Sequence, residues 1–179
     1  MRVPRVTREE LSPENQAVWD RIAANRHGVG GPYGVLIHVP KLADCERATE
    51  DYFRFDAALP EADREIVIMA VAREAGARYA WYRHEVRGRE AGVREAVIET
   101  LRAQGDTSSF TPRERLLVEL AHSLLRTRSL PKDLFDRGLA ELGRQQLIEL
   151  VALVGHYTTI GYLINSFEVP LPEDATPTF

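Results

Sequence analysis

A run of seven apolar residues, 66–72, constrains the fold more than any other part of the sequence, because it leaves a helix no polar face. The acidic residues Glu61, Asp63 and Glu65 precede it, and the positive end of the helix dipole favours acids in a first turn. Gly76 then predicts the helix end. A helix that is apolar all round must be covered on several sides by the rest of the chain.

The remaining pattern predicts an all-α fold of about seven to eight helices, since no alternating run of β-branched or aromatic residues is bounded by turns. Ser12 followed by Pro13 predicts one helix start, and the Thr111-Pro112-Arg113-Glu114 segment predicts a second through a capping box. Helices are expected over about 12–27, 41–58, 61–75, 78–91, 94–104, 111–126, 131–142 and 144–166. Residues 105–109 are predicted to link two helical halves.

Composition narrows the possible functions. Lysine plus arginine number 23 and aspartate plus glutamate 27, so the net charge is −4 and the cationic surface of a nucleic-acid-binding protein is missing. Cys45 is the sole cysteine, which excludes a disulfide framework and a cysteine zinc site. The five histidines lack helical ligand spacing, so no metal is predicted. No 18-residue apolar run or leader-like start is present, so we expect a cytoplasmic protein with no membrane span.

A carboxylate, that of Glu65, and an imidazole, that of His84, are predicted to meet across a helical hairpin. Glu65 lies 11 residues before Gly76, and His84 lies 8 residues after it. Helices that fold back at Gly76 would place them about 4.5 Å apart along the axis. A carboxylate and an imidazole beside an apolar pocket can act as an acid/base pair. A purely structural hydrogen bond between the two groups remains an alternative.

The residues around this pair resemble the core of the carboxymuconolactone decarboxylase and alkylhydroperoxidase D-like superfamily. The core pattern is Leu59-Pro60-x4-Glu65-x13-Tyr79-x-Trp81-x2-His84-x7-Gly92. Residues 31–40, 149–157 and 163–165 resemble flanking segments of its longer members, so the likeness spans about residues 10–172. We therefore expect one domain over 1–179: an N-terminal extension (1–58), the family core (59–104), a second helical half (110–167) and an extended tail (168–179).

The resemblance implies an all-α bundle that assembles as a homo-oligomer, a trimer or hexamer, around a small-molecule site. In the peroxidase branch a CxxC pair does the redox chemistry, and its positions fall here on Ala77 and Ala80. A peroxidase-like antioxidant that relies on that pair is therefore disfavoured, and one that uses Cys45 alone stays an alternative. A non-catalytic helical oligomer or binding module is the third possibility.

The decarboxylase branch implies a lyase or isomerase that works without a cofactor or metal on a small carboxylated or lactone substrate. In that reading the catalytic residues are Glu65, His84 and Tyr79, with His84 as acid/base and Glu65 as its orienting partner. The expected substrate-binding residues are Trp81, Arg83, His38 and Asn165. Arg87 is an alternative carboxylate anchor to Arg83, and Asn165, His156 and Tyr157 have structural roles as alternatives.

Overall fold

The structure, a computed structural model, describes residues 1–26, 28–172, 175 and 179. Its helices are α1 (Pro13–Ala23), α2 (Pro32–Leu36), α3 (Pro40–Asp51), α4 (Glu61–Glu74), α5 (Arg78–Glu90), α6 (Glu95–Ala103), α7 (Pro112–Thr127) and α8 (Lys132–Ser166). Two 3₁₀ turns (Arg8–Glu10 and Thr107–Ser109) and a π-helical turn (Tyr52–Asp56) complete the secondary structure. The described part of the chain contains no strand, so the all-α prediction is confirmed.

Helix α4 lies at the centre of the core. All seven residues of the apolar run, 66–72, are buried. Helices α5, α6, α7 and α8 each pack against α4, which covers it on several sides as the pattern predicted. Because burial of an aliphatic side chain contributes about 1.5–3 kcal/mol, this single helix is a major source of the stability of the fold.

The predicted helix starts are confirmed by their caps. The Ser12 hydroxyl accepts a hydrogen bond from the Asn15 N–H. At the start of α7, the Thr111 hydroxyl accepts from the Glu114 N–H, and the Glu114 carboxylate accepts from the Thr111 N–H at 2.7 Å. These bonds satisfy N–H groups that a helix leaves unpaired at its first turn.

One predicted helix boundary differs from the structure. The helix expected over 41–58 ends at Asp51, and a π-helical turn follows, in which Phe53 is buried and the Tyr52 hydroxyl reaches Glu149. The break expected between the helices over 131–142 and 144–166 is present within α8, because the backbone at Gly143 is not helical (φ 71°, ψ 172°). The predicted tail, 168–179, lies partly outside the described residues.

Helix α8 is long and apolar enough to span a membrane by length and composition alone, with a mean hydropathy of 1.5 over its most apolar 18 residues. More than half of that window, 56%, is buried inside the protein. The apolar character of α8 is therefore also what a core helix of a globular protein requires.

The buried Glu149 carboxylate on α8 fastens the segment that leads into α4. Its oxygens accept hydrogen bonds from the Leu59 N–H (2.7 Å), the Ala58 N–H (3.1 Å), the Tyr52 hydroxyl (2.8 Å) and the Gln145 amide (3.0 Å). Burial alone would raise the pKa of Glu149, but these four donors outweigh it and lower the pKa. Glu149 thereby fixes where α4 begins.

We expect Glu149→Ala to lower the free energy of unfolding by about 1–3 kcal/mol, because buried N–H groups lose their acceptor. The difference in the free energy of unfolding between Glu149→Ala and the wild type is largest above the unfolded glutamate pKa of about 4.3. It is lost as the pH falls through the lowered pKa of Glu149 in the folded protein. Urea titrations at several pH values measure it. Glu119→Ala removes only an exposed ion pair to Arg137 and is expected to change stability by less than about 0.5 kcal/mol. Equal losses in the two variants would contradict the assignment.

Candidate functional site

The turn at Gly76 brings the predicted pair together. Gly76 adopts a φ of 63°, which favours glycine, and α5 folds back along α4. The Nδ1 atom of His84 lies 2.7 Å from Oε2 of Glu65, and both side chains are buried. The predicted contact is therefore present. Because the Glu65 carboxylate accepts a hydrogen bond from Nδ1–H, it holds the proton of the neutral imidazole on Nδ1. Nε2 is then the ring nitrogen that can accept a proton.

A cavity of about 380 Å³ adjoins His84. Its wall is formed by the glycine-rich loop after α1, by the start of α2, by one side of α5 and by the C-terminal half of α8. His84 belongs to this wall, whereas Glu65 does not. The imidazole therefore stands between the cavity and the carboxylate, the order that proton transfer to a bound molecule requires.

Tyr79 and Tyr157 supply hydroxyl groups to the cavity wall. The Tyr157 ring meets the His84 ring edge-on, with centroids 4.9 Å apart. Burial raises the pKa of both phenols, so both stay protonated at neutral pH. Neither hydroxyl has a hydrogen-bond partner within the described residues. Each can therefore donate to an oxygen of a bound molecule.

The cavity wall is strongly cationic. Arg5, Arg26, Arg83 and Arg87 contribute to it, and Glu50 is the one acidic residue of the wall within the described part of the chain. The Glu50 carboxylate accepts the Tyr33 hydroxyl at 2.8 Å. Arg26 is already paired, with its Nη2 2.7 Å from Asp51. Among the described residues Arg5, Arg83 and Arg87 have no carboxylate partner, so their charge is available to an anionic ligand.

Comparison with known proteins agrees with this geometry. Residues 43–123, which include the Glu65 and His84 pair, match the sequence profile of the Carboxymuconolactone decarboxylase family. The match covers less than half of the chain, from within α3 to within α7. The comparison with curated proteins gave no match.

A solved structure shares the fold. It is an uncharacterized peroxidase-related protein from Ralstonia eutropha JMP134, described as an alkylhydroperoxidase AhpD core. The two chains superpose with a TM-score of 0.78 over 97% of this chain and 93% of the other, at 16% sequence identity. At that identity the likeness shows the fold alone.

In this chain Ala77 and Ala80 occupy the places where the resemblance puts two cysteines. Ala80 lines the cavity and Ala77 is fully buried. Cys45 is exposed on α3 and does not contribute to the cavity wall. Within the described residues no three His, Cys, Asp or Glu side chains cluster in a way that could hold a metal ion.

The prediction that Trp81 walls the pocket is wrong. Trp81 is fully buried, and its indole N–H donates to Glu85 at 2.6 Å. At about 100° per residue, Ala80, Arg83 and Arg87 lie on one side of His84 around α5, whereas Trp81 and Glu85 lie on the other. The cavity opens on the first side only. The three-residue spacing of Trp81 and His84 was therefore too coarse to predict that both side chains line the cavity.

Two further predicted ligand-binding residues, His38 and Asn165, lie outside the cavity wall. His38 is exposed just after α2, with its Nε2 3.0 Å from the Pro4 carbonyl oxygen. The Asn165 amide donates to the Ala75 carbonyl at 2.7 Å and so ties α8 to the end of α4. This contact fits the structural alternative for Asn165, because carbonyl groups at the C-terminal end of a helix lack partners within the helix. Arg83 and Tyr79, in contrast, do line the cavity.

Sequence reasoning missed several residues of the site. Arg5, Arg26 and Glu50 come from the N-terminal extension, and Ile160 comes from α8. Tyr157 of α8, for which a structural role was the alternative, also lines the cavity. No local spacing links these segments to His84, so only tertiary packing brings them together.

A second imidazole–carboxylate pair, His156 with Glu46 at 3.1 Å, lies behind Tyr157, and burial lowers the pKa of His156.

Gly31 sets the position of Tyr79. Its φ is 58°, and a Cβ at this position would lie 2.5 Å from the Tyr79 ring and hydroxyl. Only a residue without a side chain lets the loop close against the ring in this way.

We therefore expect Gly31→Ala to lower the free energy of unfolding by about 1–3 kcal/mol, through the left-handed backbone and the displaced ring. Gly30→Ala is the matched control, because that position has ordinary φ and open space around it. Its expected change is below about 0.5 kcal/mol. Thermal and urea unfolding measure both, and a Gly31→Ala variant as stable as Gly30→Ala would refute the packing argument.

Proposed function

We propose that the protein is a lyase or isomerase, working without a cofactor, that transfers a proton at carbon in a small carboxylated or lactone substrate. The single observation that carries the proposal is the His84–Glu65 pair at the wall of a cationic cavity. Residues 43–123 match the Carboxymuconolactone decarboxylase family, and the name of that family supports decarboxylation as the reaction class.

In the proposed reaction each of these side chains has one role. Arg83 or Arg87 binds a carboxylate of the substrate that is retained. Loss of carbon dioxide breaks the bond to a second carboxyl carbon and leaves its electron pair on the substrate as an enolate. Tyr79 donates a hydrogen bond to the enolate oxygen, which lowers the energy of that charge. The protonated His84 then gives its Nε2 proton to carbon, while Glu65 stabilises the imidazolium that donates it.

We test this with the parent family substrate, carboxymuconolactone, and with a panel of small β-keto acids and unsaturated lactone acids in D₂O, followed by proton NMR. His84→Ala is expected to lower the rate of carbon dioxide loss or deuterium uptake by about 10²–10⁴-fold with the fold intact. Glu65→Gln should lower it less, because the amide oxygen still accepts the Nδ1 proton. His38→Ala, an exposed histidine outside the cavity, is the matched control. Unchanged turnover in His84→Ala would falsify the assignment.

A peroxidase-like reaction is the second candidate, supported by the description of the structural neighbour as peroxidase-related. In this chain it would depend on Cys45, which is exposed on α3 and apart from the His84 cavity. The same variants separate the two candidates. With an external thiol as reductant, hydroperoxide consumption that is lost in Cys45→Ser and kept in His84→Ala favours the peroxidase. Turnover of the acid substrates that is lost in His84→Ala and kept in Cys45→Ser favours proton transfer. A purely structural role for the pair is less well supported, since a cavity adjoins His84.

We further propose that the protein forms a homo-oligomer, a trimer or hexamer, and acts in the cytoplasm. A stripe of exposed residues with helical spacing runs along α8, and its large members are Ile148 (62% exposed), Val151 and Tyr162 (66% exposed). Small residues, Ala152 and Gly155, lie between them and would allow a second helix to approach closely. Such a stripe is typical of a subunit interface.

Ile148→Asp is expected to dissociate the oligomer, because it buries an unpaired charge at the centre of the contact. Light scattering after size-exclusion chromatography measures the mass. Phe135→Asp is the control, since Phe135 is also apolar and exposed (43%) but precedes the break at Gly143. Wild-type mass in both variants would show that the α8 stripe is not the interface.

A further inference from the structure

A second concavity lies directly beside the His84 cavity. This outer groove has a volume of about 450 Å³, and its wall is formed by residues 25, 26, 54, 82, 83, 86, 87 and 90. Arg26, Arg83 and Arg87 belong to the walls of both the groove and the inner cavity. The two spaces are therefore neighbours that share a wall of three guanidinium groups.

Helix α5 explains this arrangement. Arg83 and Arg87 are one helical turn apart, and their long side chains stand between the two spaces. Ala80 and His84 line only the inner cavity, whereas Tyr82 and Val86 line only the outer groove. Arg83 and Arg87 therefore contribute to both spaces, and a ligand that reached from His84 into the outer groove would lie along their side chains.

The outer groove has the charge and the apolar surface of a binding site for an anionic chain. Arg54 adds a positive charge there, with its Nη1 donating to the Asn25 carbonyl at 3.2 Å and no carboxylate partner among the described residues. Glu90 is the acidic residue of this wall within the described part of the chain. Val86, 47% exposed, provides apolar surface between the charges. Arginines that share one concavity raise the local concentration of anions.

We propose that the substrate is a bipartite acid, with its reactive end beside His84 and a second anionic group, carboxylate or phosphate, bound in the outer groove near Arg54. The inference rests on the proposed function for the identity of the reactive end. It adds that the ligand is longer than the inner cavity and is recognised at both ends, with Arg83 and Arg87 alongside its middle.

Binding of α,ω-dicarboxylates of increasing length, from succinate to sebacate, tests the proposal by isothermal titration calorimetry without any turnover. The affinity is expected to rise by about tenfold or more once the chain reaches the outer groove, as one added charge-assisted contact allows. Monocarboxylates of the same lengths separate this gain from apolar contact. A phosphonate-ended acid of the best length distinguishes a preference for phosphate from one for carboxylate.

Three variants locate the second contact. Arg54→Gln, which changes the outer groove alone, is expected to remove the gain for long diacids and to leave succinate affinity within about twofold. Arg5→Gln, which changes the inner cavity alone, should weaken short and long diacids alike. Glu90→Gln, an exposed substitution that removes the opposing charge, should strengthen long diacids only, and it keeps the test decisive if Arg54→Gln does not fold.

Several outcomes overturn the proposal: no dicarboxylate binds, affinity is independent of length, monocarboxylates gain as much as diacids, or Arg54→Gln weakens succinate as much as sebacate. The length dependence is also measured in His84→Ala. If His84→Ala keeps it and no tested acid is turned over, the proposed chemistry fails while the binding inference stands. If turnover is found but affinity does not depend on length, the reverse holds.

Discussion

The need to cover α4 on every side determines most of this structure. A helix whose residues 66–72 are all apolar is stable only when other helices exclude water around it, and α5, α6, α7 and α8 do so. The same burial takes Glu65 out of water. A buried carboxylate requires a hydrogen-bond donor, and the return of the chain at Gly76 supplies His84. The acid/base pair is thus a direct consequence of where the core helix lies.

The protein is acidic as a whole, yet the cavity beside His84 is cationic. The net charge of −4 comes from 27 acidic and 23 basic residues, and many arginines, such as Arg8 and Arg126, are paired with carboxylates. Arg5, Arg83 and Arg87 line one cavity without such partners among the described residues. The distribution of charge therefore differs from what the total charge suggests. Composition could not show this cationic wall, because a count of residues says nothing about which of them converge.

The sequence was sufficient for the parts of the structure that depend on local rules. Helix caps at Ser12 and Thr111, the turn at Gly76 and the 3.6-residue period predicted the helices and the Glu65–His84 contact. The π-helical turn after Asp51 was not predictable, because it depends on Glu149, far along the chain. Trp81 was misplaced because spacing alone cannot tell on which side of His84 a cavity opens. Arg26 and Glu50 were missed because their proximity to His84 exists only after packing.

The cavity wall contains residues from inside and from outside the segment that matches the family. The segment that matches the family, residues 43–123, contains His84, Glu65 and Tyr79, whereas Arg5, Arg26, the glycine loop and Tyr157 lie outside it. The cavity wall is therefore divided: Arg83 and Arg87 are encoded beside His84, whereas Arg5 and Arg26 belong to the first forty residues. A relative with the same central segment and a different N-terminal extension would thus have a cavity of different shape and charge next to an unchanged Glu65–His84 contact.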